Sequence, residues 1–231
     1  MSRQPQRRRP SAFDHRAVLR EYPLTISYDW DETVSPWLAP VLELGNQRFG
    51  TELKPDDLAG RELQDLWGCT RSEVEHFIAV HHGDGGQLLR GAREYIGRLR
   101  QDGFQHCITS ARPTAHAELT RRVVQRHLDG LFSDDQIHVV GNFRTDPEFT
   151  PKTAIFRANQ ISAHVDDDPR YLRECLEAGI VAIQFGEYTW ARERVAGAYQ
   201  AGTWSRVYQL ITSRAVVNRM LEQRYGITLP D

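Results

Sequence analysis

Two aspartates one residue apart, Asp29 and Asp31, close the apolar run "LTISY" and are followed by Glu32 and Thr33. Three later stretches bring similar groups to comparable places. "HCITSARP" ends in Thr109 and Ser110 with Arg112 just beyond, "FTPK" carries Lys152 to the start of a helical pattern, and "AHVDDDP" ends in Asp166, Asp167 and Asp168. A single Asp or Thr at a strand end commonly does no more than cap the next helix. Charge buried there without compensation is costly. Four such places in one chain, offering carboxylates, hydroxyls and one ammonium, instead make oxygen ligands for a hard cation and donors for an anionic ligand.

The elements that must position these groups follow from hydrophobic periodicity. Short apolar stretches at 24–28, 106–108, 137–140, 163–165 and 181–185 alternate with helical patterns at 92–101, 115–128, 152–159, 170–178 and 205–212. That alternation predicts an α/β fold, a parallel five-stranded sheet with helices on both faces. Ligands of such sheets bind beyond the carboxyl ends of the strands, where the four stretches fall. Residues 35–90 break the alternation: they hold helical patterns at 38–49 and 72–79 and no central strand. They predict a small helical cap inserted after the first strand. The expected division is a disordered basic tail over 1–20, a core over 21–34 and 91–213, the cap over 35–90, and a C-terminal helix over 214–231.

Composition agrees with a globular chain: 231 residues, 40% hydrophobic, 26% charged, net charge −2. No run reaches the roughly 18 apolar residues of a membrane span, and the N-terminus lacks a secretion signal's apolar stretch, so a cytoplasmic protein with no membrane partner is expected. Cys69, Cys107 and Cys175 are odd in number and widely spaced, which suits reduced thiols rather than disulfides or a metal pair. The 29 basic residues include only two lysines, Lys54 and Lys152, so the other 27 are arginine. A chain that nearly always chooses arginine keeps a lysine at residue 152, where a compact ammonium suits a tight pocket better than a planar fork.

Taken together, "DWDET", the strand ending in Thr109, Lys152 at a helix start and the Asp166–Asp167 pair resemble motifs I to IV of the haloacid dehalogenase (HAD) superfamily, over residues 24–211. The resemblance implies a Rossmann-like core and a Mg²⁺-dependent phosphomonoesterase working through an aspartyl-phosphate. By the same resemblance Asp29 is the nucleophile, Asp31 the general acid and then base, and Thr109, Ser110 and Lys152 bind the phosphoryl group. The metal falls to Asp29, Asp31 through its backbone carbonyl, Asp166 and Asp167. The physical logic agrees: a carboxylate attacks phosphorus only when the charge between the two anions is neutralised, as a hard divalent ion does. Superfamily dehalogenases lack the second aspartate, and transport ATPases carry a lysine after the nucleophile where this chain has Trp30, so a phosphatase is favoured.

The cap sequences "SPWLAPVLELGNQRFGTELKPDDL" and "LWGCTRSEVEHF" resemble those of the 5'(3')-deoxyribonucleotidase-like branch. That implies a small phosphorylated metabolite such as a nucleoside monophosphate, with Trp37, Phe49 and Trp67 as stacking candidates weighed against plain core packing. Beside the resemblance, Glu32, Thr33 and Arg112 are candidate substrate contacts by position, Arg112 weighed equally against a salt bridge on the loop surface. Glu32 departs from the branch, which more often has an Asp-Gly pair there. The turn "HHGDGG", residues 81–86, departs as well, and exposed hinge histidines are its simplest reading. Two alternatives stand beside the phosphatase: a nucleic-acid end phosphatase recruited by the basic tail, and a catalytically silent HAD-fold binding protein.

Overall fold

A computed structural model of the chain describes residues 13–58, 61–81, 87–141, 146–188 and 193–230, with the backbone alone at residues 79 and 81. The expectations for the opening basic stretch before residue 13, and for the side chains of the HHGDGG turn, lie outside what is described. The chain begins with α1 (His15–Glu21) and β1 (Thr25–Tyr28), then runs through three helices, α2 (Leu38–Phe49), α3 (Leu63–Trp67) and α4 (Arg71–His81). It continues with α5 (Ala92–Asp102), β2 (Gln105–Ser110), α6 (Ala117–His127), β3 (Ile137–Val139), α7 (Lys152–Ala158), β4 (Ile161–Asp166), α8 (Pro169–Glu177) and β5 (Val181–Phe185). It closes with β6 (Tyr199–Ala201), α9 (Trp204–Ile211) and α10 (Arg214–Tyr225).

The strands form one parallel sheet in the order β3-β2-β1-β4-β5-β6. Six strands replace the five expected. The additional one, β6, is three residues long and pairs Tyr199, Gln200 and Ala201 with Ile183, Gln184 and Phe185. Its glycine-flanked "YQA" carries no apolar run, so its strand conformation comes from pairing with β5 rather than from local preference. All four residues of β1 are buried, as a strand covered on both faces must be. Ile26 and Tyr28 join Ile108, Val165 and Ile183 in the larger core, where α5, α9 and α10 supply Ile96, Leu99, Val207, Val217 and Met220. On the other side Cys107 and Ala182 meet Phe156 of α7 and Leu172 and Cys175 of α8. Among the described residues no helix is long and apolar enough to cross a membrane.

The expected disordered tail through residue 20 is corrected over α1. Asp14 caps this helix at the amides of Arg16 and Ala17. The buried carboxylate of Asp102, at the end of α5, accepts from His15, Arg16 and Tyr208 of α9. The order of α1 is thus tertiary: a carboxylate some 90 residues away along the chain holds it, and no local periodicity announces it.

Between β1 and α5, residues 37–81 close over an apolar cluster of their own, Leu38, Val41, Leu42, Trp67, Val74 and Phe77. Helix α3 is the piece the hydrophobic pattern does not reveal. It packs so closely on α2 that a Cβ on Gly45 would run into the Trp67 ring. An alanine inside a helix ordinarily gains about 1 kcal/mol over glycine, but overpacking costs about 1–3 kcal/mol. Gly45→Ala is therefore expected to lower the urea midpoint of unfolding, and an unchanged or higher midpoint would show that the two helices separate freely.

Candidate active site

The order β2-β1-β4 places a reversal of strand order at β1, since the chain runs from β1 outward to β2 and β3 and then returns to β4 on the other side. The crevice beyond such a reversal is where α/β sheets bind ligands. Register brings the chemistry there. Tyr28 pairs with Ile108 on one side and Val165 on the other, so the next residues, Asp29, Thr109 and Asp166, lie side by side at the carboxyl ends of three adjacent strands. The Asp29 amide donates to the Val165 carbonyl at 2.9 Å, which fixes the exit of β1.

Lys152, the first residue of α7 and fully buried, reaches into this crevice. Its Nζ donates to Asp29 Oδ1 at 2.6 Å and to Asp166 Oδ2 at 2.7 Å and lies 4.1 Å from the centre of the Tyr171 ring. Asp166 also accepts from His164 Nε2 at 2.8 Å and from the Asp168 amide at 2.8 Å. Oxygens of Asp29, Asp166 and Asp167 lie within 4.8 Å of one another. Asp168 is set apart from them because it caps α8 at the Arg170 amide, with Pro169 in the first turn.

One ammonium thus serves two carboxylates, and they divide it unequally. Burial opposes the Asp166 charge, but Lys152 and His164 outweigh it and hold this carboxyl well below the usual range. Asp29 is pushed up to about 8, chiefly by burial, with Asp166 and Asp31 adding to the rise and Lys152 opposing it. Half-buried Asp167 is raised well above its ordinary value by burial and by Asp166 and Asp29. Burial also works against the Lys152 charge, yet Asp166 and Asp29 hold the ammonium above its ordinary value. The site carries more carboxylate than its single lysine neutralises.

The other sequence-derived candidates separate into those near this cluster and those placed elsewhere. Thr109 is fully buried, with Oγ1 2.9 Å from Ser27 Oγ. Buried Ser110 accepts the Arg112 amide on its Oγ at 3.3 Å. The Asp31 side chain stands outside the carboxylate trio: Arg112 donates to it twice, Nε to Oδ2 at 2.8 Å and Nη2 to Oδ1 at 2.7 Å. Thr33 is buried, and its carbonyl accepts from Trp204 Nε1 at 2.9 Å.

Glu32 is not placed as a substrate contact. Its backbone is left-handed, φ 59°, and its Oε1 accepts the amides of Trp37 at 2.8 Å and Leu38 at 2.6 Å, the cap and the first residue of α2. The cap residue proper, Trp37, has no side chain able to do this, so the glutamate satisfies the free helix amides. Its carbonyl accepts the Tyr188 hydroxyl. Phe49 and Trp67 follow the core-packing alternative: their rings stack at 4.9 Å between centroids, and each meets Phe77 edge-on. Trp37 packs half-buried against the same cluster.

His164, Tyr171 and Ser27 belong to the site and escaped the sequence reading. Strand alternation offered a signal for two of them, because His164 precedes Asp166 by two residues on β4 and Ser27 precedes Asp29 by two, which puts each on its aspartate's face.

No family model matches the chain, and no curated protein matches it. Solved structures do match. A protein described as a predicted phosphoglycolate phosphatase from Haemophilus somnus superposes with a TM-score of 0.58 at 12% identity, covering 82% of this chain and 98% of its own. A HAD family hydrolase from Deinococcus radiodurans, with bound phosphate and sodium, gives 0.55 at 16% identity, covering 90% and 99%. CbbY from Rhodobacter sphaeroides, in complex with phosphate, gives 0.57 at 14% identity, covering 84% and 98%. At these identities the likeness is one of fold: a Rossmann-like HAD fold with a parallel sheet.

Proposed function

We propose that the chain, built on the HAD fold, is a Mg²⁺-dependent phosphomonoesterase that works through an aspartyl-phosphate on Asp29. The observation that carries this reading is Lys152 Nζ held at 2.6 and 2.7 Å from Asp29 and Asp166 in a buried cluster with Asp167. The donor set fits the metal. All three ligands are carboxylates, which suits a hard cation, and the raised pKa values of Asp29 and Asp167 mark negative charge in need of a partner. Asp29, Asp166 and Asp167 would hold the ion, with the Asp31 carbonyl completing the set. When bound, it keeps Asp29 ionised and draws charge from the phosphoryl oxygens.

Every other step belongs to side chains. Asp29 attacks phosphorus, the bond from phosphorus to the leaving oxygen breaks, and that oxygen takes a proton from Asp31. Water then attacks the aspartyl-phosphate and gives a proton back to Asp31, and the bond from phosphorus to Asp29 breaks to release inorganic phosphate. Lys152 neutralises charge at Asp29 as it moves to the phosphoryl oxygens, and the Thr109 hydroxyl exchanges Ser27 for one of those oxygens. His164 holds Asp166 in place through its Nε2.

The substrate class is a small phosphate monoester. Two of the structural neighbours are described with phosphate bound, which supports an anion of that kind in this crevice. A nucleoside monophosphate belongs to the class, although Phe49 and Trp67 spend their faces on each other rather than on a base. Purified protein with Mg²⁺ is expected to release phosphate from an aryl phosphate and from members of a nucleoside monophosphate and sugar phosphate panel, to stop on chelation, and to resume when Mg²⁺ is restored. No release from any member of the panel would overturn the reading.

A further inference from the structure

The phosphatase reading, on which this inference rests, asks Asp31 to face the leaving oxygen, yet both oxygens of Asp31 are already occupied. Arg112 grips them from Nε and Nη2 at 2.8 and 2.7 Å, a bidentate pair of the strongest kind a carboxylate makes. The Arg112 side chain is 2% exposed and that of Asp31 23%, so the guanidinium is the buried, fixed partner and the carboxylate the freer one. The Arg112 backbone is fixed too, its amide on Ser110 Oγ and its carbonyl accepting from the Gly141 amide.

One prong of the fork is left over. Arg112 Nη1 is buried and has no hydrogen-bond partner among the described residues. An unmet buried donor is costly, and guanidinium is the side chain best shaped to take two oxygens of a phosphoryl group. Arg112 follows Thr109 by three residues, and Thr109 lies near the end of β2 beside Asp29. The leftover donor therefore belongs to the loop bordering the place where a phosphoryl group must sit to be attacked.

We infer that Arg112 is a positioning residue that exchanges partners: it clamps Asp31 aside in the resting protein, and the phosphoryl group of the substrate takes over the guanidinium and releases Asp31 to face the leaving oxygen. The exchange makes a definite statement about binding. Asp31 and phosphate compete for one guanidinium, so removing the carboxylate must help phosphate, and must do so only while Arg112 is present.

Inorganic phosphate is the probe, titrated calorimetrically into the full chain at saturating Mg²⁺. Asp31→Asn is expected to bind phosphate at least about five-fold tighter than the native chain, the lower end of ordinary coupling between sites. Arg112→Gln should bind it more weakly, and Asp31→Asn should bring no gain in the Arg112→Gln background. A gain of the same size in both backgrounds would mean simple relief of charge repulsion and would overturn the exchange, as would no gain at all. If Arg112→Gln fails to fold, Arg112→Lys takes its place in the cycle. Its single ammonium cannot reproduce the fork, so the gain should fall by at least half, and a full gain overturns the proposal. Failure of the phosphatase reading would look different, because the native chain would then release no phosphate from any ester.

Discussion

Asp29→Asn is expected to remove phosphate release almost completely while leaving the protein at least as stable as the native chain. Asparagine keeps the shape of the side chain and an oxygen for Lys152, but it has no anionic oxygen to attack phosphorus. Loss of a nucleophile that forms the covalent intermediate is worth a factor on the order of 10⁴ or more, about 5 kcal/mol of barrier. The stability half of the expectation comes from charge. Burial and the neighbouring Asp166 and Asp31 push the Asp29 carboxyl up to about 8, so near neutral pH the metal-free fold already favours an uncharged group there. Replacing it with a neutral isostere relieves repulsion and leaves Lys152 to Asp166. The measurement pairs an initial-rate assay at saturating Mg²⁺ with a thermal melt in chelator, and acid-quenched reactions with labelled ester should trap label on the native protein and none on the variant. Retention of a tenth or more of the native rate, or label trapped on the variant, would remove Asp29 from the nucleophile's place.

The cluster was legible in the sequence because strand-end chemistry is written locally. An apolar run followed by Asp, or by Thr, names both the strand and the group delivered beyond it, and Lys152 stood out in a chain with only one other lysine. What was hidden is what depends on partners distant in sequence. β6 has no hydrophobic pattern and exists because β5 offers it an edge. α1 is ordered by Asp102. Phe49 and Trp67 sit at helical spacing whether they line a slot or fill a core, and only the 4.9 Å stack between them decides for the core.

Glu32 shows the limit most plainly. Its sequence position beside Asp31 suggested a substrate contact in the catalytic loop. The structure turns its carboxylate to the amides at the start of α2 while its carbonyl accepts Tyr188. A helix cap is usually sought at the residue just before the helix, and here the capping side chain stands five residues earlier than Trp37. The same residue fastens the loop after β1 to the start of α2, so a glutamate at this position is accounted for by architecture.

Lys152→Met gives the complementary result, a smaller loss of activity with the opposite effect on stability. Methionine is unbranched and fills a channel of similar length, so what changes is the charge between Asp29 and Asp166. Asp166 is then left buried with His164 and one amide, and removing one partner of a buried ion pair costs about 3–5 kcal/mol. Chemical denaturation in chelator should show a loss of that order. Mg²⁺ should restore more stability to the variant than it adds to the native chain, because a cation bound only by the folded state stabilises in proportion to the logarithm of its affinity, and the carboxylate trio without its lysine attracts it more strongly. Turnover should stay low even with Mg²⁺, by a factor on the order of 10² to 10³, as when one preorganised charge is removed from a phosphoryl or oxyanion site. Lys152→Arg tests the shape of that charge: a planar fork has no room where Nζ sits 4.1 Å above the Tyr171 ring and within 2.7 Å of two carboxylates. Restored charge without restored rate is the expected outcome. If Lys152→Met matches the native chain in chelator and gains no more from Mg²⁺, then the lysine does not neutralise these aspartates, and the phosphoryl chemistry built on that contact falls with it.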